Sequence, residues 1–139
     1  MQENGRIRIL LVDDHEAFRR YISSILQKQA NWEIIGESDD GLQAIQKAEI
    51  LQPDLILLDI GLPGINGIEA ARQIGKVARQ ARIIFLTQES SPEVVQQAFE
   101  LGAWAYITKA QAGSELLPSL EAVSGGHRFV NEHNNNENY

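Results

Sequence analysis

The chain has 139 residues, 19 of them acidic and 12 basic, with no cysteine and a formal charge of −7. That length suits one domain with its own hydrophobic core, and the lack of cysteine excludes disulfide frameworks, thiolate metal sites and cysteine nucleophiles together, in keeping with a reducing compartment. The basic residues are scattered, which argues against direct binding to a nucleic-acid backbone; no run approaches the roughly 18 uninterrupted apolar residues of a membrane span, and Met1 to Gly5 has no signal-peptide character, so a soluble cytoplasmic protein without membrane contact is expected.

In chain order, Ile7, Ile9, Leu10, Leu11 and Val12 predict a buried strand that ends on Asp13 and Asp14. From Ala17 the apolar period changes to that of a helix, with Ala17, Phe18, Tyr21, Ile22, Ile25 and Leu26 on one face. Trp32 to Gly36 is a weaker second strand, and Ser38 to Gly41 is a turn or cap leading to Leu42, Ile45 and Ala48 at helical spacing. After Pro53, four apolar residues, Leu55 to Leu58, predict a short strand buried on both faces. It ends on Asp59 and runs into the loop Gly61-Leu62-Pro63-Gly64-Ile65-Asn66-Gly67.

A helix with Ile68, Ala71, Ile74 and Val77 follows, then a fourth strand, Ile83 to Leu86, that ends at Thr87. Ser91 and Pro92 make a strong helix start, with serine as cap and proline at the first helical position. That helix buries Val94, Val95, Ala98 and Phe99 and stops at Gly102. Ala105 to Ile107 is a short fifth strand, preceded by Trp104, a partner contact or local packing, and followed by Lys109. A last amphipathic segment carries Leu116, Leu117, Leu120 and Val123, and Pro118 within it predicts a late start or a kink. Five strand-helix alternations argue for a parallel α/β sheet covered on both faces. Residues 1–5 read as an N-terminal extension, 6–124 as the domain, and 125–139 as a disordered tail or the start of a linker, since Asn131 to Tyr139 is polar and of low complexity.

In a parallel sheet all strands end on one edge, which is where open α/β sheets hold their ligands. Asp13, Asp14, Asp59, Thr87 and Lys109 therefore meet there. Close carboxylates repel by roughly 4 kcal/mol per pair at an effective dielectric near 20, so three together require a cation or protons. Hard oxygen donors favour Mg2+, which takes one or two carboxylates and substrate phosphate oxygens. A carboxylate nucleophile can then attack a phosphoryl group while the ion and the lysine offset the growing charge. His15 follows the acid pair, but no second histidine matches it, and a solvent-facing position is expected.

These residues resemble, over about residues 6–124, the receiver domain of two-component response regulators. The resemblance is carried in order by Asp13-Asp14, Leu57-Leu58-Asp59-Ile60-Gly61-Leu62-Pro63-Gly64-Ile65-Asn66-Gly67, Phe85-Leu86-Thr87 and Gly102 to Ala110. The Leu62-Pro63-Gly64 loop and the Lys109-Ala110 pair are similar to the NarL/FixJ type, whose members usually carry a C-terminal helix-turn-helix DNA-binding domain. The resemblance implies a flavodoxin-like (βα)5 doubly wound sheet of strand order 2-1-3-4-5. It implies that Asp59 accepts a phosphoryl group from a sensor histidine kinase or phosphotransfer protein. Asp14 would bind Mg2+ directly, Asp13 through water, and the Gly61 carbonyl would add a ligand. Lys109 would pair with the phosphoryl group, Thr87 would move to bond it, and Tyr106 would turn inward behind Thr87. The output would be a changed surface governing an attached DNA-binding domain, with self-phosphorylation and self-dephosphorylation as the chain's only catalysis. Receivers often form homodimers through the last helix, and Pro118 puts that dimer in doubt.

Two other readings compete. A stand-alone receiver would act by docking to a partner protein. A Mg2+-dependent phosphatase of the haloacid dehalogenase type wants a second Asp two residues after the nucleophile, where this chain has Gly61. Gly61 and Glu89, each two residues beyond a site residue, flank the pocket and are expected to set the hydrolysis rate.

Overall fold

The computed structural model describes residues 5–130. The elements follow the expected alternation: β1 (Ile7–Val12), α1 (Glu16–Leu26), β2 (Trp32–Ser38), α2 (Gly41–Leu51), β3 (Leu55–Leu58), α3 (Gly67–Val77), β4 (Arg82–Thr87), α4 (Pro92–Glu100), β5 (Ala105–Thr108), a 3-10 turn (Lys109–Gln111) and α5 (Ala112–Ser124). All strand pairs are parallel and the sheet order is β2-β1-β3-β4-β5, the flavodoxin-like arrangement.

Both faces of the sheet are covered, which explains why the strands read as continuous apolar runs. Because side chains alternate along a strand, Leu10, Val12, Ile56, Leu58 and Phe85 pack with residues of α2, α3 and α4. Ile9, Leu11, Leu57, Ile84 and Ile107 point the other way, against Ile22 and Leu26 of α1 and Leu116, Leu120 and Val123 of α5.

The helix starts are held by the cap residues the sequence offers. Asp40 accepts from the Gln43 N–H, Asn66 from Glu69 and Ser91 from Val94. Three positions expected on buried helix faces differ: Ala17, Tyr21 and Leu42 lie exposed, so α1 and α2 bury narrower faces than the spacing suggests. Pro118 does not delay α5, which begins six residues before it and continues past it to Ser124. Its exposed position lets Leu116, Ser119 and Leu120 stay buried around it.

Residues 127–130, which the sequence places in the tail, return to the sheet. The Phe129 N–H donates to the Trp104 carbonyl at 2.9 Å, and Phe129 forms a parallel bridge with Ala105 at the edge of β5. The guanidinium groups of Arg82 and Arg128 each lie over the Trp104 ring, 4.4 and 4.5 Å from its centroid. Trp104 is thus local packing that clasps the start of β5. The expectations for Asn131 to Tyr139 and for residues 1–4 fall outside the described residues.

Candidate functional site

The C-terminal strand ends bring the expected side chains together. Asp13 follows β1, Asp59 follows β3, Thr87 closes β4, and Lys109 begins the turn after β5. Asp13, Asp59 and Thr87 are buried, whereas Asp14 is exposed at the rim. Each buried acid is fixed by its own backbone, since the Asp13 N–H donates to the Ser38 carbonyl and the Asp59 N–H to the Val12 carbonyl, both at 3.0 Å.

The two oxygens of Asp59 have different surroundings. Oδ1 accepts the Thr87 hydroxyl at 2.7 Å and the Gly61 N–H at 3.1 Å. Oδ2 faces the Lys109 ammonium at 3.3 Å. Lys109 also pairs with Asp13 Oδ2 at 2.7 Å and lies 4.6 Å over the Phe18 ring, so one largely buried cation bridges two buried carboxylates. Such a bridge stabilises both charges where water cannot screen them. Together with His15, ligand atoms of Asp13, Asp14 and Asp59 lie within 4.8 Å of one another. An ion with bonds of about 2.1 Å has opposite ligands roughly 4.2 Å apart, so this donor set suits a small divalent cation.

A glycine sets the position of Asp59. At Gly67, the first residue of α3, a Cβ would lie 2.1 Å from the Asp59 carbonyl oxygen and 2.6 Å from the Ile60 Cα. The Gly67 N–H donates to the Ile60 carbonyl at 2.8 Å. The helix start therefore presses directly on the backbone that carries Asp59, which only a residue without a side chain allows.

Behind Asp59, the Thr87 oxygen accepts from the backbone N–H groups of Ile60 and Glu89 at 3.4 and 3.3 Å. Tyr106 is 1% exposed, and its hydroxyl donates to the Glu89 carbonyl. Burial, with the Glu89 and Asp59 charges, raises the Tyr106 pKa well above the ordinary tyrosine range and keeps the phenol neutral. Thr87 and Tyr106 thus already stand on the inner side of the pocket.

Residues 9–121 match the family described as the response regulator receiver domain. The chain belongs to that family. Transcriptional regulatory protein LiaR of Bacillus subtilis (strain 168) is 38% identical over 120 residues, covering 86% of this chain and 57% of LiaR. Response regulator protein VraR of Staphylococcus aureus (strain NCTC 8325 / PS 47) matches with the same identity and coverage. The receiver therefore spans little more than half the length of either relative. Among solved structures, a two-component response regulator of the LuxR family from Aurantimonas sp. SI85-9A1 superposes with a TM-score of 0.89 at 32% identity, covering 95% of this chain and 94% of that one. Receivers of this family are signalling modules that typically bind Mg2+ at an acidic pocket, and this chain has a cluster of Asp13, Asp14 and Asp59 at its strand ends.

Two participants escaped sequence reasoning. The Gly61 N–H contacts the site, because the sharp turn after β3 folds it back onto Asp59 Oδ1. His15 is more than half exposed, as expected, yet its ring nitrogen lies 3.0 Å from Asp13 Oδ1 and 3.2 Å from Asp14 Oδ1. No periodic signal reports that rotation; the only hint was its place directly after two acids.

Proposed function

We propose that this chain is a phosphoaspartate switch in which Asp59 accepts a phosphoryl group. The observation that carries the reading is the asymmetric setting of the Asp59 carboxylate. Two donors tie down Oδ1, which leaves Oδ2 beside Lys109 as the attacking oxygen. Oδ2 forms the new P–O bond as the bond to the donor's leaving group breaks. With phosphohistidine the departing imidazole nitrogen takes a proton, and with a small donor the leaving oxygen keeps the electron pair. Lys109 offsets the charge growing on the phosphoryl oxygens. Asp14 and Asp59, with the Gly61 carbonyl, are the residues that would hold Mg2+, Asp13 acting through water. The ion supplies charge neutralisation of the phosphoryl oxygens and of the acid cluster.

The added group brings about −1.5 to −2 charges and strong acceptors beside Thr87. The Thr87 hydroxyl then has a choice between Asp59 and the phosphoryl oxygens, and Tyr106, bonded through Glu89 to the same loop, follows it. The altered loop remodels the face made by α4 and β5. The donor is a sensor histidine kinase or phosphotransfer protein in the cytoplasm. The output is control of transcription through a DNA-binding domain in the full-length protein, a reading supported by the name of LiaR as a transcriptional regulatory protein. None of the helices among the described residues is long and apolar enough to cross a membrane. Homodimer formation on phosphorylation belongs to the same proposal. The chain's own chemistry is confined to gaining and losing this phosphoryl group, and Gly61 and Glu89 at the rim tune the loss.

Intact mass after exposure to a small phosphodonor, with and without Mg2+, tests the assignment. One phosphoryl group is expected, dependent on Mg2+ and absent in Asp59→Asn. Undiminished labelling of that variant would overturn it.

A further inference from the structure

His15 occupies the N-cap position of α1, where serine, threonine, aspartate and asparagine are preferred because their side chains accept a helix N–H. Its side chain makes no capping hydrogen bond. The ring turns instead to the acid cluster, and Nδ1 stands 3.0 Å from Asp13 Oδ1, 3.2 Å from Asp14 Oδ1 and 3.4 Å from Lys109 Nζ. The His15 backbone N–H already donates to Asp13 Oδ1 at 2.8 Å, so the ring is not needed to hold that carboxylate in place.

Nδ1 offers either one hydrogen, shared between the two carboxylate oxygens, or one lone pair for a cation. Two anionic oxygens beside it ask for positive charge, and Lys109 asks for an acceptor. Lys109 has closer partners in Asp13 Oδ2 and Asp59 Oδ2. Adjacent ligands of an ion with bonds near 2.1 Å sit about 3.0 Å apart, close to the 3.2 Å between Nδ1 and Asp14 Oδ1. The exposed Asp14 and His15 also form the open rim, so an ion reaches them from solvent.

We infer that His15 Nδ1 is a side-chain ligand of the divalent cation in this pocket and sets its metal preference. The inference rests on the reading of the acid cluster as a cation site. An imidazole ligand adds little for Mg2+, a hard ion that prefers oxygen. It adds much for first-row ions such as Mn2+, Co2+ and Ni2+, which accept nitrogen readily. The pocket is thereby a site for nitrogen-accepting divalent ions in which Mg2+ also fits.

The test compares Ni2+ and Mg2+ binding by calorimetry in the parent chain, His15→Ala and Asp14→Asn, at about pH 8, above the ordinary histidine range. Electron spin-echo spectra of the Mn2+-loaded chain report directly on a nitrogen ligand. His15→Ala is expected to lower Ni2+ affinity by about 10-fold or more and Mg2+ affinity far less, and to remove the nitrogen coupling. Asp14→Asn is expected to weaken both ions. A Ni2+ to Mg2+ ratio unchanged in His15→Ala, or a Mg2+ affinity that rises because the ring had competed with the ion, overturns the role of His15 while the cation site stands. Asp14→Asn with both affinities intact overturns the cation site, and the role of His15 with it.

Discussion

Thr87 illustrates how much one hydroxyl can carry. It donates to Asp59, accepts from two backbone N–H groups, and is buried, so its rotation is coupled to the loop through Glu89. Thr87→Ala removes one of the two donors to Asp59 Oδ1 but leaves Oδ2, its Lys109 partner and the Gly61 N–H in place. The variant is expected to take up the phosphoryl group at Asp59, yet its amide spectra should change far less on phosphorylation than those of the parent. Shifts as large as the parent's would exclude Thr87 as the relay. At this scale the sequence was a good guide where a residue ends a strand, since Asp13, Asp59, Thr87 and Lys109 are all placed by strand register. It was a poor guide to His15, whose contacts depend on a side-chain rotation that no pattern encodes.

Among the elements, α3 and α5 bear the two instructive constraints. Gly67 opens α3 against the Asp59 carbonyl, so a methyl group there must push the helix or the acceptor strand aside. Gly67→Ala is expected to cost about 1–3 kcal/mol of stability, as overpacking typically does, visible as a lower urea midpoint. It should also slow labelling of Asp59, because the displaced atoms belong to the residue that reacts. Pro118 lies inside α5 on its exposed side and cannot donate to the preceding turn. Proline in a helix interior stands about 3 kcal/mol below alanine, and the helix persists through it because its apolar face is anchored by Leu116, Leu120 and Val123. Tertiary burial has overruled local preference, which is why a late start did not follow. Pro118→Ala is expected to raise stability by about 1–3 kcal/mol in the same denaturation assay, and a loss of stability would mean that the proline shapes the packing of α5.

At the scale of the whole molecule, the parallel sheet and the edge that holds the site were legible because buried parallel strands write their apolar runs plainly and four of them lead into Asp13, Asp59, Thr87 and Lys109; the strand order came from the family resemblance. The return of residues 127–130 to the sheet was not legible. Gly125 and Gly126 look like the end of structure, and the residues beyond them have no periodicity. What holds them is a ring contacted by two guanidinium groups and one backbone bridge, and neither leaves a trace in hydrophobic spacing.

That return of Phe129 to Ala105 bears on colloidal behaviour. β5 is an outer strand of the sheet, and an outer strand with free backbone groups is a template for pairing with another chain. Phe129 takes up the Trp104 carbonyl next to its first residue and closes that end to strangers. A chain ended at Gly126 should keep its fold yet aggregate at lower concentration than the full chain, as followed by light scattering. The short strap after α5 is then a guard on solubility as much as a route out of the domain.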